Sequence, residues 1–425
     1  MALLSPAEAE KRVLANMVLL PAKACPLVAA HGRVLRTAIK ADRDLPPFDR
    51  VTMDGYALRS SSLRAGVRRF RVEAVQAAGM RPCELGAAPD ACIEIMTGAV
   101  LPHGADCIVP YEETTRDPPE SPNVPTSPAA VAKTESVTYY VTLSESALRE
   151  IRAGNALHKR GSDHAAGNVI VSAGVRLGGR EIAVAASCGC ATLTVSCQPK
   201  IAVVSTGDEL VEVDAVVAPH QVRRSNDYAL RAALVAAGYP EIERFHFHDM
   251  RHEIEHQLWH ILTEFDVVLL TGGVSKGKFD YLPQVLETLD VRKVFHGVAQ
   301  RPGKPFWFGR DARKKVVFAL PGNPVSAYTC LHRYVLPALA AASGLTLPPR
   351  RQIRLAEAVT FKPPLTCLLP VRLQYTATGD QLAVPEPTNS SGDFAGLVGT
   401  DGFVELSADQ NDFPAGFVAP FWPWV

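Results

Sequence analysis

Four short loops combine glycine with hydroxyl and charged side chains, the residue types that bind phosphate and other oxyanions. Each loop follows a predicted strand, and ligands bind at the carboxyl ends of parallel strands, so the loops are expected to converge. The helix that begins near Asn323 would add the positive end of its dipole. One such loop alone is explained equally well as a turn, whereas four in one domain favour a binding site. They are 205–209 (STGDE), 271–275 (TGGVS), 301–305 (RPGKP) and 321–326 (PGNPVS).

Charged residues in and beside these loops indicate what they bind. Lys276, Lys278 and Lys304 can supply mobile positive charge. Asp208 and Asp280 can hold a divalent ion against phosphate oxygens. The chain lacks G-x-x-x-x-G-K-[ST], and no G-x-G-x-x-G opens the first βα unit, so neither a P-loop nor a dinucleotide fold is predicted. The sequence therefore predicts a phosphate-bearing ligand that is held in another way.

A second motif, H-E-x-x-H, is formed by His252, Glu253 and His256 and is typical of zinc proteases. On a helical wheel, however, these histidines lie opposite the apolar face, with His260 beside them. We therefore predict a solvent-exposed polar face and no zinc site. The apolar face consists of Ile254, Leu258, Ile261 and Leu262.

The elements that must position the four loops alternate between strand and helix from Lys200 onward. Short β-branched runs such as KIAVVS and IERFHF alternate with helical patterns such as NDYALRAALVAAGY and RHEIEHQLWHILTEF. Alternation of this kind is typical of a parallel α/β domain. Ser225 stands at the N-cap position of the first of these helices.

The rest of the chain predicts smaller, β-rich parts, so that the whole is a multi-domain α/β plus β protein. The Pro- and Ser-rich stretch 115–145 predicts a loop or linker. The predicted parts are an N-terminal helix packed on the α/β domain (1–24), an elongated linker domain (25–50 and 146–178), a β-rich inserted domain (51–145), the α/β ligand-binding domain (179–345) and a small C-terminal β domain (346–425).

The composition excludes several classes of partner. Lys plus Arg and Asp plus Glu both number 44, so no global field would attract nucleic acid or an anionic membrane. The N-terminal stretch interrupts its apolar residues with charges, which is not typical of a signal peptide. Nine scattered cysteines indicate reduced thiols rather than a disulfide framework. We therefore expect a cytoplasmic protein that binds neither nucleic acid nor membrane.

In this order, the four loops resemble those of the pterin-binding domain of molybdopterin molybdenumtransferases, the group that includes the C-terminal part of gephyrin-like proteins. Motifs elsewhere in the chain are similar to further hallmarks of that family, so the resemblance covers nearly the whole chain. These motifs are PFD at 47–49 with MDGYA at 53–57, IMTGA at 95–99 with LP and GAD at 101–106, GN to RG at 154–161, and SGD at 391–393.

The resemblance implies a transferase that inserts molybdate into adenylylated molybdopterin, giving molybdenum cofactor and AMP, with Mg²⁺ or another divalent cation present. It also implies a homodimer, in which the α/β molybdopterin-binding domain of one subunit meets the β-rich second domain of the other at the site. The chain carries no second enzymatic domain that would adenylylate molybdopterin. A molybdopterin adenylyltransferase is therefore expected as the upstream partner.

The resemblance also implies roles for individual residues. Asp208 and Asp280 would be catalytic acids near metal and phosphate, with Asp249 a weaker third metal ligand and loop capping the alternative role. Asp54 and Thr97 would be catalytic residues that reach the site from the partner's second domain, although Asp54 could alternatively serve only as an Asx cap. The residues implied to cradle the pterin phosphate or the molybdate are Thr206, Gly207, Gly272, Gly273, Ser275, Lys276, Arg301, Gly303, Lys304, Asn323 and Ser326.

The chain departs from the family pattern at three of these places. The family often has Glu where this chain has Ser162 and Asp where it has Arg224, so each change loses a carboxylate. Arg224 also brings a positive charge, which favours anions over metal ions. Arg301 stands where Lys is common and can clamp an oxyanion bidentately. Ser162 and Arg224 favour a second hypothesis, a catalytically impaired carrier or scaffold that binds molybdopterin or nucleotide without turnover, whereas Arg301 is compatible with an unchanged role.

Overall fold

The structure of the protein, a computed structural model, describes residues 3–117, 139–273 and 281–425. Contacts divide the chain into two units, each with its own core. The finer domain boundaries given by the sequence stay predictions. The first unit is Met1–Thr37, Ala173–Ile182 and Thr192–Val425, and the second is Ala38–Ser172 and Ala183–Ala191.

The first unit contains a six-stranded sheet that carries the predicted ligand loops. Its first four strands are parallel, as the alternation of strands and helices predicts. At one edge Trp307–Arg310 runs antiparallel to both of its neighbours, a detail that the sequence did not predict. There a connection without a helix joins neighbouring strands, which requires antiparallel pairing. In spatial order the strands are Ile242–Phe247, Ile201–Thr206, Val267–Thr271, Val316–Leu320, Trp307–Arg310 and Arg292–His296.

Helices cover both faces of this sheet, because successive side chains of a buried strand point to opposite faces. In the strand Ile201–Thr206, Ile201 and Val203 belong to one core, and Ala202 and Val204 to the other. Asn226–Ala236, Pro324–Cys330, the π-helical turn Leu331–Val335 and Leu336–Ala342 cover the first core, and Arg251–Glu264 and Leu282–Thr288 cover the second.

The helix Arg251–Glu264 confirms the predicted orientation of the H-E-x-x-H motif. His252, His256 and His260 are exposed, whereas the predicted apolar face is buried. Within the described ranges no group of three His, Cys, Asp or Glu side chains could hold a metal ion. The described helices also include none that is long and apolar enough to cross a membrane.

The helix Pro6–Asn16 packs against the same core as the first set of helices. Its N-cap is Ser5, whose hydroxyl accepts a hydrogen bond from the Glu8 amide at 3.2 Å. Ala9 and Val13, one helical turn apart, are fully buried and supply the apolar contact. The N-terminal residues are thus held in the first unit by both a cap and a buried stripe.

The C-terminal residues of the first unit form a second six-stranded sheet. A further pairing between Thr366–Tyr375 and Gly402–Leu406 curls the sheet back on itself. Its first strand, Gln300–Arg301, is supplied by the α/β part of the sequence. In spatial order the strands are Gln300–Arg301, Thr366–Tyr375, Gln381–Pro385, Gln352–Leu355, Val418–Pro423 and Gly402–Leu406. Shorter elements of this unit are Ala22–Pro26 with Thr192–Ser196, Leu210–Val211 with Val222–Arg223, Val359–Thr360 with Asp412–Phe413, and the 3₁₀ turns Leu27–Ala29 and Phe394–Leu397.

The second unit is built around another six-stranded sheet. The loop predicted at 115–145 is wrong at both ends, because Thr114–Asp117 and Tyr139–Leu143 pair as strands and Glu145–Glu150 is a helix. The alternation in YYVTL buries Tyr139, Val141 and Leu143. Residues 118–138 of that predicted loop lie outside the described residues. In spatial order the strands are Cys107–Pro110, Gly55–Leu58, Ala91–Ile95, Arg69–Gln76, Tyr139–Leu143 and Thr114–Asp117. Shorter elements of this unit are Ile39–Lys40 with Val169–Val171, Arg50–Val51 with Leu157–His158, the helix Ser60–Arg64 and the 3₁₀ turn Tyr111–Glu113. The boundary between the two units falls within the helix Gly179–Ser187.

A buried histidine, His332, lies in an aromatic cluster of the first unit. The rings of Tyr328 and Trp424 lie 4.5 and 4.9 Å from its own. The His332 Nδ1 is 2.9 Å from the Tyr328 carbonyl oxygen, and Nε2 accepts a hydrogen bond from the Val425 amide at 3.2 Å. An imidazole with one donor and one acceptor nitrogen is neutral. Burial accordingly lowers the pKa of His332 from its usual 6.5 to about 4.

His332 makes the protein sensitive to acid in a defined window. Between pH 6.5 and about 4 the unfolded chain binds a proton at this histidine that the folded protein excludes, so stability falls as pH falls. The loss reaches up to about 3 kcal/mol and stops growing below the folded pKa. The His332→Gln variant keeps a donor and an acceptor without titrating, and is expected to flatten the profile. Urea unfolding from pH 7 to pH 4 tests this, with exposed His220→Gln as a control that should follow the unchanged protein.

Candidate functional site

A cleft of about 700 Å³ opens at the carboxyl ends of the parallel strands in the first unit. Three of the predicted loops meet there, and Pro305 of the fourth reaches its rim. The sequence therefore located the edge of the sheet where ligand loops converge. The polar and glycine residues that line this cleft are Ser205, Thr206, Glu209, Arg223, Arg224, Ser225, Asn226, Thr271, Gly272, Gly273, Gly322, Asn323 and Gly392.

Gly272 and Gly273 bring bare backbone to the cleft wall. Their φ angles are +96° and +63°, in the left-handed region that favours glycine. A Cβ on Gly272 would lie 2.7 Å from the carbonyl oxygen of Thr206, and one on Gly273 would lie 2.7 Å from Leu282. Only glycine fits at either position. The result is a wall in which a ligand can approach bare backbone closely, although the Gly272 amide itself donates to the Leu320 carbonyl oxygen at 3.4 Å.

Hydroxyl groups lie directly behind these glycines. Thr271 Oγ1 donates to Ser205 Oγ at 3.2 Å, deep in the sheet. Thr206 Oγ1 is buried and makes no hydrogen bond to any described residue. A buried hydroxyl without a partner is uncommon and usually marks an interaction that forms with a ligand or water. Thr206 is thus the hydroxyl in this wall with unused bonding capacity.

A second cleft, of about 810 Å³, lies between the α/β part and the C-terminal sheet of the same unit. Five residues that the sequence assigned to oxyanion binding line it: Arg301, Gly303, Lys304, Asn323 and Ser326. Both clefts share Pro305, Pro321 and Asn323, so they adjoin. The structure therefore divides the predicted residues between two neighbouring cavities.

Gln300 anchors the loop that carries Arg301 and Lys304. Its side chain is fully buried; Nε2 donates to the Pro302 carbonyl at 3.1 Å, and Oε1 accepts from the Tyr334 hydroxyl. The φ of Gly303 is +93°, and a Cβ there would lie 2.6 Å from both Cys330 Sγ and Gln300 Nε2. The loop is therefore fixed by buried polar contacts, and its cationic side chains extend from a rigid base.

Asn323 joins the two clefts to the segment around Ser391. Its Nδ2 donates to Ser391 Oγ at 2.7 Å, and the Val325 amide donates to the Ser391 carbonyl oxygen at 3.1 Å. Asn323 holds the N-cap position as predicted, but its side chain makes no capping hydrogen bond. One of the first-turn amides that were expected to bind an anion thus bonds Ser391 instead.

Asp208 acts as a loop cap in this structure. Its Oδ1 accepts from the Asp249 amide at 3.0 Å and lies 3.2 Å from His248 Nδ1. Neither Asp208 nor Asp249 lines either cleft. The carboxylate that does line the first cleft belongs to Glu209, whose oxygens pack against Gly207. The capping role left open in the sequence is therefore the one that these contacts support.

The described residues of the first cleft do not fit a divalent cation. Such an ion needs several oxygen ligands, usually two or more from carboxylates. The described lining offers one carboxylate, from Glu209, beside the guanidinium groups of Arg223 and Arg224. The predicted ligand Asp280 lies outside the described residues, as do Ser275, Lys276 and Lys278. The predicted metal role of Asp208, Asp249 and Asp280 stays a prediction.

Asp54 and Thr97 lie together in the second unit. Asp54 Oδ1 accepts hydrogen bonds from both the amide of Thr97 at 2.5 Å and its hydroxyl at 2.7 Å. The two residues thus form one local group, which fastens the turn after Ala91–Ile95 to the turn before Gly55–Leu58. These bonds join residues 43 positions apart and are not the local Asx cap that the sequence left as the alternative, so both the capping and the catalytic role stay predictions.

Several cleft residues were missed by the sequence reasoning as ligand-binding groups. Arg223, Ser225, Asn226 and Glu209 line the first cleft beside Arg224, the one residue of this group that the sequence had linked to anion binding. Asn226 Nδ2 donates to the Gly322 carbonyl at 2.7 Å and so ties the start of its helix to the PGNP loop. Two arginines directly before a helix N-cap were the available signal, because such a position faces the strand ends.

Fold and clefts define a class, a multi-domain protein built on an α/β domain with oxyanion-type loops at its strand ends. Three family models match the chain: the MoeA N-terminal region (domain I and II) over residues 4–189, the probable molybdopterin binding domain over 202–341, and the MoeA C-terminal region (domain IV) over 352–424. The chain belongs to the molybdopterin molybdenumtransferase family, known as MoeA.

Individual relatives agree with this assignment. The molybdopterin molybdenumtransferase of Synechocystis sp. is 40% identical over 93% of this chain and 93% of its own length. That of Staphylococcus epidermidis is 29% identical over 96% and 93%, respectively. A solved structure of a molybdopterin biosynthesis MoeA protein from Pyrococcus horikoshii is 28% identical, with a TM-score of 0.78 over the full length of both chains.

Proposed function

We propose that this protein is a transferase of molybdenum cofactor biosynthesis that inserts molybdenum into molybdopterin. Its substrates would be adenylylated molybdopterin and molybdate. Hydrolysis of the phosphoanhydride bond would release AMP, and the dithiolene would receive the metal. Family membership over nearly the whole chain supports this function.

The observation that carries the proposal is the pair of adjoining clefts. The transfer requires two oxyanions side by side, the phosphate group of the pterin substrate and the molybdate ion. The first cleft has the glycine-rich backbone wall suited to a phosphate, and the second has Arg301, Lys304 and Ser326. The two clefts have one wall in common, which includes Asn323.

The chain's own groups can then be assigned steps. The backbone at Gly273, with the Thr206 hydroxyl, would orient the phosphate, since the Gly272 amide already donates to the Leu320 carbonyl oxygen. Arg301 and Lys304 would hold the tetrahedral molybdate beside it, because donors fixed in advance stabilise an oxyanion without reorganisation. The catalytic effect would come mainly from holding the two substrates in contact.

The remaining expectations belong to this proposal. The functional unit would be a homodimer, in which Asp54 and Thr97 of one subunit serve the clefts of the other. A molybdopterin adenylyltransferase would supply the substrate, and the reaction would take place in the cytoplasm. A magnesium ion, if required for turnover, would need Asp280 among its ligands, because the described cleft residues alone do not provide a site.

A carrier or scaffold is the second candidate function. It is favoured by one observation, the guanidinium groups of Arg223 and Arg224 in the first cleft. These favour retention of an anionic ligand and disfavour a metal ion that would assist hydrolysis. Such a protein would bind molybdopterin or its nucleotide tightly and release no AMP.

Turnover of adenylylated molybdopterin separates the two candidates. The purified protein is given this substrate with molybdate, with and without magnesium, and both AMP and molybdenum cofactor are quantified. We expect both products, and we expect Lys304→Met to reduce their rate by about tenfold or more, since a charge-assisted contact to molybdate is lost.

Lys293 is an exposed lysine in the six-stranded sheet of the α/β part, and it lines neither cleft. Lys293→Met is therefore the matched control and should leave the rate unchanged. Tight substrate binding without AMP release, across several divalent cations, would contradict the transferase and support the carrier. Equal rates for the Lys304→Met variant and the unchanged protein would contradict the assignment of molybdate binding to the second cleft.

A further inference from the structure

Arg224 is a cation buried in the wall of the first cleft. Only 7% of its side chain is exposed, yet it is one of the residues that line the cavity. Its Nη2 lies 2.5 Å from Glu212 Oε1 and 3.6 Å from Asp227 Oδ2. Its Nε is buried and has no hydrogen-bond partner among the described residues. The guanidinium is thus held on one side, and its unpartnered Nε is itself buried, so what Arg224 offers the cleft is mainly its positive charge.

The charge of Arg224 is only partly balanced by its neighbours. Asp227, which is fully buried, lies closer to Arg244, at 3.1 Å, than to Arg224, at 3.6 Å. Glu212 is 55% exposed, so solvent screens its charge. Asp227 therefore mainly balances Arg244, and Glu212 balances Arg224 weakly. Of these four charged groups, Arg224 is the one that lines the cleft, so the potential at the wall depends mainly on its positive charge.

Other groups in the same wall add to this potential. Arg223 also lines the cleft, and Glu209, which is exposed, is the one acidic residue among the described lining. The helix Asn226–Ala236 begins there, and the side chain of its N-cap residue Ser225 makes no capping hydrogen bond. The helix of 11 residues thus directs uncapped amides toward the cleft. Two cations and a helix N-terminus surround one cavity.

We infer that Arg224 is the fixed cation of this cleft, so that the cleft binds a phosphate monoester without a divalent metal ion. A buried arginine presents phosphate oxygens with a rigid fork of donors, and no metal ion has to be bound first. The glycine wall of the same cleft lets the phosphate approach bare backbone at Gly273. The inference rests on the proposed function in one respect, the choice of AMP as the ligand that this cleft releases.

Binding of AMP by equilibrium dialysis tests the inference without any turnover. We expect the same Kd, within about twofold, in EDTA and in magnesium for the unchanged protein. Arg224→Met is expected to weaken AMP binding by about tenfold or more in both buffers. Arg224→Lys, which keeps the charge but not the fork, should recover part of that loss.

The matched control is Arg244→Met. Arg244 contacts the same buried Asp227 but does not line the cleft, so its loss disturbs the buried network alone. It is expected to bind AMP within about twofold of the unchanged protein. An equal loss in the Arg224→Met and Arg244→Met variants would reduce Arg224 to a structural role. AMP binding that disappears in EDTA would overturn the inference directly.

These outcomes are separable from the fate of the transferase. Metal-independent AMP binding that requires Arg224, in a protein that releases no AMP from adenylylated molybdopterin, would support the inference and reject the proposed turnover. Active turnover in a protein whose AMP binding requires magnesium would do the opposite.

Discussion

Replacing Arg333 by alanine is expected to lower the free energy of unfolding by about 3–5 kcal/mol. The side chain is 1% exposed and bridges three segments of the first unit. Its Nη1 donates to Glu10 Oε2 at 2.8 Å in the N-terminal helix, and its Nε donates to Glu405 Oε2 at 2.8 Å in the C-terminal sheet. Its guanidinium also lies 4.2 Å from the ring of Trp422.

The loss of stability is large because the substitution leaves a buried carboxylate without its counterion. Without Arg333, the carboxylate of Glu405, 16% exposed, keeps only the Trp422 indole N–H as a donor among the residues that the structure describes. A buried charge that loses its counterion costs more than the pair contributed. Adding Glu405→Gln to the variant removes that charge and is expected to restore part of the stability.

Arg350→Ala is the matched control for this prediction. Arg350 also contacts Glu10, at 2.8 Å, and also lies over Trp422, but it is 38% exposed. Its loss should therefore cost no more than about 1 kcal/mol. Urea unfolding of the variants measures the difference. Equal, small losses for both arginines would show that burial does not amplify the contribution of Arg333.

Gly272→Ala is expected to reduce ligand binding and turnover by about a hundredfold or more, because small displacements of a binding wall have effects of that size. The new Cβ would lie 2.7 Å from the Thr206 carbonyl oxygen and 2.9 Å from Thr206 Oγ1, at a φ of +96°. Either the glycine loop or the end of the strand Ile201–Thr206 must shift. Both form the wall of the first cleft.

The control separates this displacement from simple backbone strain. Gly399 has a φ of +86°, and a Cβ there meets nothing within 4 Å. Gly399→Ala should therefore cost about 1–2 kcal/mol of stability, from the left-handed backbone alone, and leave AMP binding unchanged. If Gly272→Ala bound AMP as well as Gly399→Ala does, the glycine wall would have no role in binding.

The sequence predicted the edge of the sheet better than the side chains that act there. Glycine, proline and hydroxyl residues at the ends of apolar runs are local signals, so the four loops and their convergence followed from the order of elements. The direction of a side chain is not a local signal. Asp208 and Glu209 are neighbours in STGDE, yet Asp208 caps the next loop and Glu209 lines the cleft.

Tertiary partners decided the other differences. The role of Arg224 depends on Glu212, Asp227 and the competing Arg244, and no spacing rule gives that arrangement. The sequence did not predict the strand Tyr139–Leu143, because a proline-rich stretch precedes it and its pairing partner Arg69–Gln76 is distant in sequence. Long-range pairing of this kind cannot be read from composition.

The short strand Gln300–Arg301 has a consequence for how the α/β part can be used on its own. It pairs with Thr366–Tyr375, so the backbone that carries Arg301 is completed by residues that come much later in the chain. The first cleft, apart from Gly392, is formed without those later residues, but the second is not. An isolated α/β module could keep a pocket for one ligand and lose the pocket for the other. In the proposed two-cleft arrangement, binding of the second ligand therefore depends on the C-terminal sheet.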